Sequence, residues 1–214
     1  MNMKYQDYVI KDGRFVGKFD SMFLKCKDPW RLLEKNKKST MINYRIIIEL
    51  CKHIREKLNK KRKIKTLEIG CGFPQISQRL FESNFSVFGT DISENVIKKS
   101  KKKFPKIKKN LFVNKFSNFA LYKKINADII ILSDLSWYVL PELKTFVRWY
   151  KKIKKKTFLI HSLAVYDKNK QKYGKSYFYD LKSCKKFFKL NFLSSGYVEH
   201  ADEKHIFFLA TNKK

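Results

Sequence analysis

A glutamate and two glycines, Glu68-x-Gly70-x-Gly72, end one apolar run, and a lone carboxylate, Asp91, ends the next, 21 residues after Gly70. Glycines at such a turn let the backbone approach a bound nucleotide closely, and a carboxylate at the following strand end accepts hydrogen bonds from ribose hydroxyls. The spacing therefore reads as a nucleotide-type ligand lying across two parallel strand ends, with a helix N-cap as the plainer alternative for Asp91. A dinucleotide fingerprint places a third glycine at the helix start, where the backbone meets a pyrophosphate. This chain reads Gly72-Phe73-Pro74 instead. Glu68 has no pyrophosphate role and fits recognition of a ligand ammonium group, through water or neighbouring backbone.

Further chemistry-bearing residues follow later apolar runs. Ser133-Asp134-Leu135-Ser136-Trp137-Tyr138 succeeds Asp128-Ile-Ile-Ile-Leu132. Trp137 and Tyr138 suit packing against a sugar ring or a ligand wall, one of them equally serving the core. His161, at the end of another run, is the best general-base candidate, because an ordinary histidine pKa of ~6.5 suits proton removal near neutrality. His53, His200 and His205 receive no role. Tyr166 and Tyr173 lie in a long segment, 163–180, that reads as a lid or a solvated loop.

The elements that must position these residues alternate. Ser39 or Thr40 caps a helix of about 18–20 residues with the apolar face Ile42, Ile46, Ile47, Leu50, Ile54 and Leu58. The basic run Asn59-Lys60-Lys61-Arg62-Lys63 ends it as a solvated terminus. Strands read 64–69, 85–90, about 111–116, 127–133 and 156–162; helices read about 75–83, 93–103 and 141–153. Continuous apolar strands mean a parallel sheet covered on both faces with right-handed crossovers. A short helix over 180–189 and an antiparallel hairpin turning at Ala201-Asp-Glu-Lys204 close the chain. The expectation is one domain, 1–214: an irregular, aromatic-rich cap over 1–38 and a doubly wound α/β core over 39–214.

Composition narrows the class. No run of 18 apolar residues exists to span a membrane, and the N-terminal residues lack a signal-peptide core. Four scattered cysteines form no Cys-x-x-Cys pair, which argues against zinc or disulfides and for a reducing cytoplasm. The net charge of +30 invites a nucleic-acid reading. Of the 49 basic residues, however, 42 are Lys and seven are Arg, spread over nearly every segment. Ile, Phe, Tyr and Asn are abundant and Ala is rare, a pattern of AT-rich coding. Specific nucleic-acid binding is therefore not the expectation, though attraction for acidic or phosphorylated substrates follows.

Taken in order, Leu67-Glu-Ile-Gly-Cys-Gly72, Gly89-Thr-Asp-Ile-Ser93, Asp128–Leu140 and the terminal hairpin resemble a class I S-adenosylmethionine-dependent methyltransferase, over about residues 40–212. Asp28-Pro29-Trp30 and Leu132-Ser-Asp-Leu-Ser-Trp-Tyr138 are similar to the nodulation-type N-methyltransferases and polysaccharide-locus relatives. The resemblance implies a Rossmann-like sheet of seven strands, mostly parallel, and S-adenosylmethionine as cofactor. It implies that Glu68, Gly70, Cys71 and Gly72 hold the methionine end, Asp91 both ribose hydroxyls, and Ile92 the adenine face. The family's usual acid after the third strand is missing, leaving Asn114, Phe116 or Ser117 for the adenine amino group. Ser133, Asp134, Leu135 and Tyr138 fall where the family places the sulfonium and the reacting centre. Trp30 would dock the N-terminal segment over the cleft, and Tyr44 and Arg45 would reach the methionine carboxylate. The implied partner is a small acceptor, sugar-related or phosphorylated. An RNA or DNA methyltransferase is the alternative, although Ser133-Asp-Leu-Ser136 stands where base-methylating enzymes carry Asn/Asp-Pro-Pro-Tyr. A non-catalytic scaffold of the same fold is the second.

Overall fold

A computed structural model describes residues 5–33, 38–166, 169–200 and 203–213. In chain order the elements are α1 (Gln6–Val9), β1 (Ile10–Lys11), β2 (Arg14–Phe15), α2 (Phe19–Lys25) and α3 (Lys38–Leu58). There follow β3 (Lys65–Ile69), α4 (Gln75–Glu82), β4 (Ser86–Asp91), α5 (Glu94–Lys103), β5 (Leu111–Val113), α6 (Phe119–Ile125) and β6 (Ile129–Ser133). A 3₁₀ turn (Ser136–Tyr138) leads into α7 (Leu140–Lys151), β7 (Phe158–Val165), α8 (Leu181–Phe188), β8 (Asn191–His200) and β9 (Glu203–Thr211).

Seven strands form one sheet in the order β5-β4-β3-β6-β7-β9-β8. The first five are parallel, and β9 enters antiparallel between β7 and β8. This is the Rossmann-like sheet with a closing hairpin that the motif order implies. The order reverses beside β3, so the C-terminal ends of β3, β4 and β6 open on a crevice. Two apolar layers cover the sheet. One includes Ile47, Ile54 and Cys51 of α3 with Met22, Phe23, Ile76, Leu80, Val96 and Ile97; the other includes Tyr122, Leu143, Phe146, Tyr150 and Phe188.

Local chemistry sets several boundaries. Ser93 accepts the N–H of Val96 and caps α5. Asp180 and Ser183 form a capping box on α8. Lys38 is already helical, so Ser39 and Thr40 lie inside α3 rather than capping it; their side chains are outside the described residues. The buried face of α3 is Tyr44, Ile47, Ile48, Cys51 and Ile54. It is turned from the expected face, with Ile42 left 36% exposed. The expected strand 111–116 stops at Val113, because the Asn114 side chain bonds the carbonyls of Lys115 and Asn118 and bends the chain. The β8–β9 hairpin forms as expected, its turn residues Ala201 and Asp202 lying outside the described residues.

Two regions depart further from expectation. The N-terminal segment is structured: Asp12 and Gly13 both take positive φ, as a two-residue hairpin turn requires, and join β1 to β2. A sixth core helix, α6, fills a stretch read as connection, and Phe119 stacks on Trp149 of α7 with ring centroids 4.9 Å apart.

Asp128, at the start of β6, ties the opposite end of the sheet. Its side chain is 1% exposed and accepts from Lys60 Nζ and both Arg62 Nη atoms at 2.8 Å and from the Lys65 backbone at 2.9 Å. Lys155 Nζ stands 3.4 Å away. Burial alone would raise this carboxyl, but the hydrogen bonds from Arg62, Lys60 and Lys65 hold it well below the usual carboxylate range. The basic run after α3 is thus more than a solvated helix end.

Candidate active site

At the end of β3 the chain turns sharply through Gly70, at φ +70°. The amides of Gly70 and Cys71 both donate to the Thr90 carbonyl, at 2.7 and 2.9 Å, holding the turn against β4. A Cβ at position 70 would stand 2.5 Å from Leu135 Cδ1, and the left-handed backbone strains any side chain there. Position 70 therefore stays glycine for two independent reasons.

Two buried carboxylates flank this turn. Glu68 Oε2 accepts from the backbone N–H and the hydroxyl of Ser77, at 3.1 and 2.5 Å, anchoring the first turn of α4. Burial, partly offset by those two bonds, pushes its pKa up to about 7. Asp91, at the end of β4, accepts the Gly72 N–H on one oxygen and the Ser93 N–H on the other, each at 2.9 Å. Burial raises it to about 6. The Asp91 carboxylate, also approached by the Ile92 N–H, keeps acceptor capacity for a ligand hydroxyl.

Glu68 yields a pH signature. An ordinary glutamate has lost its proton above pH 4.5, whereas buried Glu68 keeps its own until about pH 7. The folded chain then binds the extra proton, so stability falls as pH rises through that window. Glu68→Gln keeps the acceptor for Ser77 and removes the titration. Urea unfolding at pH 5 and pH 8 is expected to lose a difference of about 1–3 kcal/mol relative to the native chain. An unchanged pH slope would contradict the assignment.

The crevice is a cavity of about 430 Å³, within the range of ligand sites. Glu68, Gly70, Cys71, Gly72, Asp91, Ile92, Asn114, Phe116, Ser117, Ser133, Asp134, Leu135 and Tyr138 all line it. Ile92 presents an apolar side chain that is 51% exposed. Asn114 lines the wall, but its amide is engaged within its own loop, accepting from Asn118 Nδ2 at 3.0 Å. Asp134 sits at φ +50°, donates its N–H to Ser162 O and accepts the Ala164 N–H, both at 2.8 Å. Trp137 donates Nε1 to Ala164 O at 2.8 Å and packs on Phe178. Tyr44 reaches the cavity; Arg45 is exposed and does not.

The N-terminal segment forms the opposite wall through Tyr5, Phe15, Phe19, Phe23, Trp30 and Leu32. The Asp28 carboxylate accepts the amides of Leu32 and Leu33 at 2.9 and 2.7 Å, folding Asp28-Pro29-Trp30 into a turn. Trp30 then meets Phe23 and Tyr138, with ring centroids 5.3 and 5.9 Å apart. Asp20 accepts from Ser93 Oγ and the Asn95 amide, Lys99 Nζ donates to Phe23 O, and Gln75 Nε2 donates to Leu32 O. These bonds fasten the segment to the start of α4 and to α5, the helix that follows Asp91.

His161 is not brought to the cavity. β7 continues to Val165, so His161 sits mid-strand between Leu132 and Phe208 and is fully buried. Its ring stacks on Phe208 at 4.8 Å, and Nε2 lies 2.8 Å from Ser136 Oγ. Burial lowers its pKa to about 3, so the ring stays neutral and fixes the turn that carries Trp137 and Tyr138. Among the described residues, the histidine that lines the cavity is His205 of β9, with Nε2 3.7 Å from Asp134 Oδ1. Glu142, Lys115, Asn43 and Tyr166 also line it.

Residues 67–160 match a family model described as a methyltransferase domain. Residues 67–160 thus carry a methyltransferase domain. No curated protein matches this methyltransferase in sequence. Its fold is similar to magnesium protoporphyrin IX methyltransferase (ChlM) from Synechocystis PCC 6803, solved with bound S-adenosylmethionine: TM-score 0.64, 14% identity, covering 91% of this chain and 95% of that one. N-methyltransferase NodS from Bradyrhizobium japonicum WM9, solved with S-adenosylhomocysteine, gives a TM-score of 0.64 at 14% identity, covering 92% of this chain and 98% of NodS. WbdD gives 0.57 at 15% identity, covering 84% of this chain and 42% of WbdD.

The cavity fits the methyltransferase cofactor, S-adenosylmethionine. A carboxylate with remaining acceptor capacity, an apolar platform at Ile92 and a glycine turn match a ribose, an adenine and a methionine end. When bound, the cofactor supplies an electrophilic methyl group on a positively charged sulfonium. No helix among the described residues of the methyltransferase is long and apolar enough to cross a membrane.

Proposed function

We propose that this methyltransferase acts on a hydroxyl, amine or phosphoryl-linked group of a small, sugar-related or phosphorylated metabolite, in cytoplasmic steps of surface-polysaccharide biosynthesis. Asp91 takes the ribose hydroxyls and Ile92 packs on the adenine. The Phe116–Ser117 backbone takes the adenine amino group, because the Asn114 amide is held in its loop. The Gly70–Gly72 turn and Glu68 hold the methionine end, and Ser133 and Leu135 wall it. Asp134 and Tyr138 face the acceptor.

The observation that carries a small acceptor is the aromatic wall formed by the N-terminal segment across the same cavity that Asp91 lines. Such a wall excludes water and leaves an enclosed space beside the methyl group, which favours in-line attack by an oriented acceptor. The sugar-related class rests on the similarity of Asp28-Pro29-Trp30 and Ser133–Tyr138 to the nodulation-type enzymes. A nucleic-acid substrate draws support from the charge of +30 alone. The cavity offers a polymer no basic track: among the described lining residues the one lysine is Lys115, beside four carboxylates, Glu68, Asp91, Asp134 and Glu142, so a phosphate on a small acceptor would lie outside this acidic lining.

The test is release of S-adenosylhomocysteine from S-adenosylmethionine with a panel of glucosamine, glucose, glucose 6-phosphate, glycerol 3-phosphate and total RNA. Turnover with a small member is expected. Turnover confined to RNA, or with none of the panel, would overturn the proposal.

A further inference from the structure

We propose that His205 is the residue that accepts the acceptor's proton, with Asp134 orienting its ring. The inference rests on the methyl-transfer reading above and goes beyond it by naming the base. The register of the closing hairpin sets the geometry. His205 lies opposite Ala164 of β7, and both residues line the cavity. The Ala164 N–H donates to Asp134 Oδ1, the same oxygen that lies 3.7 Å from His205 Nε2. One backbone amide therefore ties the carboxylate to the strand that faces the imidazole.

Asp134 is fixed from both ends, by its own N–H on Ser162 O and by its carboxylate on Ala164 N, in a left-handed conformation uncommon for a side-chain-bearing residue. Strain of this kind persists where surrounding structure over-determines it, commonly at active sites. Leu135, the next residue, covers Gly70 at the glycine turn, which puts Asp134 beside the methionine end. A carboxylate that closes on Nε2 leaves Nδ1 as the proton acceptor, the arrangement of a positioned general base. The separation of 3.7 Å is loose, as such pairs are before the acceptor arrives.

Among the described residues, the other titratable groups around this corner are Tyr138 of the 3₁₀ turn, Tyr166 beyond β7, Tyr44 of α3, Tyr5 of the N-terminal segment and Glu142 of α7. The neighbouring Lys204 is paired with Glu199 at 2.6 Å. His161, buried and stacked on Phe208, cannot exchange a proton with the cavity.

In the step, the acceptor's O–H or N–H bond breaks and its proton passes to the imidazole. The electron pair left on the acceptor forms the bond to the methyl carbon. The carbon–sulfur bond breaks, its electrons remain on sulfur, and His205 later returns the proton to solvent.

Two measurements test this. Diethyl pyrocarbonate labelling, read by mass spectrometry, should modify His205 from the cavity alongside exposed His53, while His161 stays unlabelled. His205→Ala, assayed with the panel member that turns over fastest, should lose about 10²–10⁴-fold in rate. Added imidazole should restore part of that rate, and S-adenosylhomocysteine affinity by calorimetry should stay within threefold. An unlabelled His205, a rate within threefold of the native chain, or a loss that imidazole does not restore would overturn the proposal. Failure of the native chain to bind S-adenosylhomocysteine would overturn the methyl-transfer reading instead.

Discussion

Asp91→Ala is expected to lower the affinity for S-adenosylmethionine and S-adenosylhomocysteine by about 100-fold or more while leaving the fold intact. The carboxylate lies in the cavity wall and keeps acceptor capacity beyond its bonds to Gly72 and Ser93. Two ligand hydroxyls donating to an ionised acceptor contribute about 1.5–3 kcal/mol each, and every 1.4 kcal/mol is tenfold. Stability changes little because opposing effects meet. The substitution strands two backbone amides, but it also removes a carboxylate whose pKa burial has raised to about 6. Cavity water can reach the stranded amides. Native affinity should also fall as pH drops below about 6, where Asp91 gains a proton and loses half its acceptor capacity. Isothermal calorimetry at pH 8 and pH 5 measures both effects, and equal affinity in native chain and variant would contradict the ribose assignment.

The second large effect is on folding, at the other end of the strands. Asp128→Ala should reduce the unfolding free energy by about 3 kcal/mol, because it leaves Lys60, Arg62 and Lys155 converging without their counter-ion. The lower part of the range for a broken buried pair applies, since Arg62 and Lys60 remain 49% and 33% exposed and solvent screens them. The native contribution has a definite pH window. Asp128 titrates below its ordinary 3.8 in the folded chain, so its stabilisation is present above that pH and lost as pH falls through the folded value. Urea titration at pH 7 should show the loss with S-adenosylhomocysteine affinity unchanged. A change below about 1 kcal/mol would mean that solvent already screens the cluster.

How far the sequence was legible follows from which signals are local. Glu68, Gly70 and Asp91 sit at ends of strands whose apolar runs are continuous, and local spacing alone places them together. The same holds for Ser133 to Tyr138 after β6. The α6 helix was invisible because Phe119–Ile125 is only seven residues, under two full turns of periodicity. The elements of residues 6–25 are two to seven residues long and read as irregular for the same reason.

The histidines show what local reading cannot reach. His161 looked like a strand-end residue because the polar Ser162 follows it, yet β7 runs three residues further than Ser162 and β9 seals that face. His205 received no role from its local sequence. Its place opposite Ala164 depends on the register between β7 and β9, a pairing across some forty residues of chain that alternation does not encode. Charge was equally misleading at long range. A chain of +30 builds a cavity whose charged lining residues are mainly acids, Glu68, Asp91, Asp134 and Glu142 against Lys115.

The most direct test of the account is a crystal structure of the chain with S-adenosylhomocysteine. The expected result has both ribose hydroxyls about 2.5–3.0 Å from Asp91, the distance of hydroxyl–carboxylate hydrogen bonds. The adenine should lie on Ile92, and the sulfur should face Asp134, Tyr138 and His205 beneath Trp30. A ligand bound elsewhere, or strand ends left vacant at saturating ligand, would contradict it.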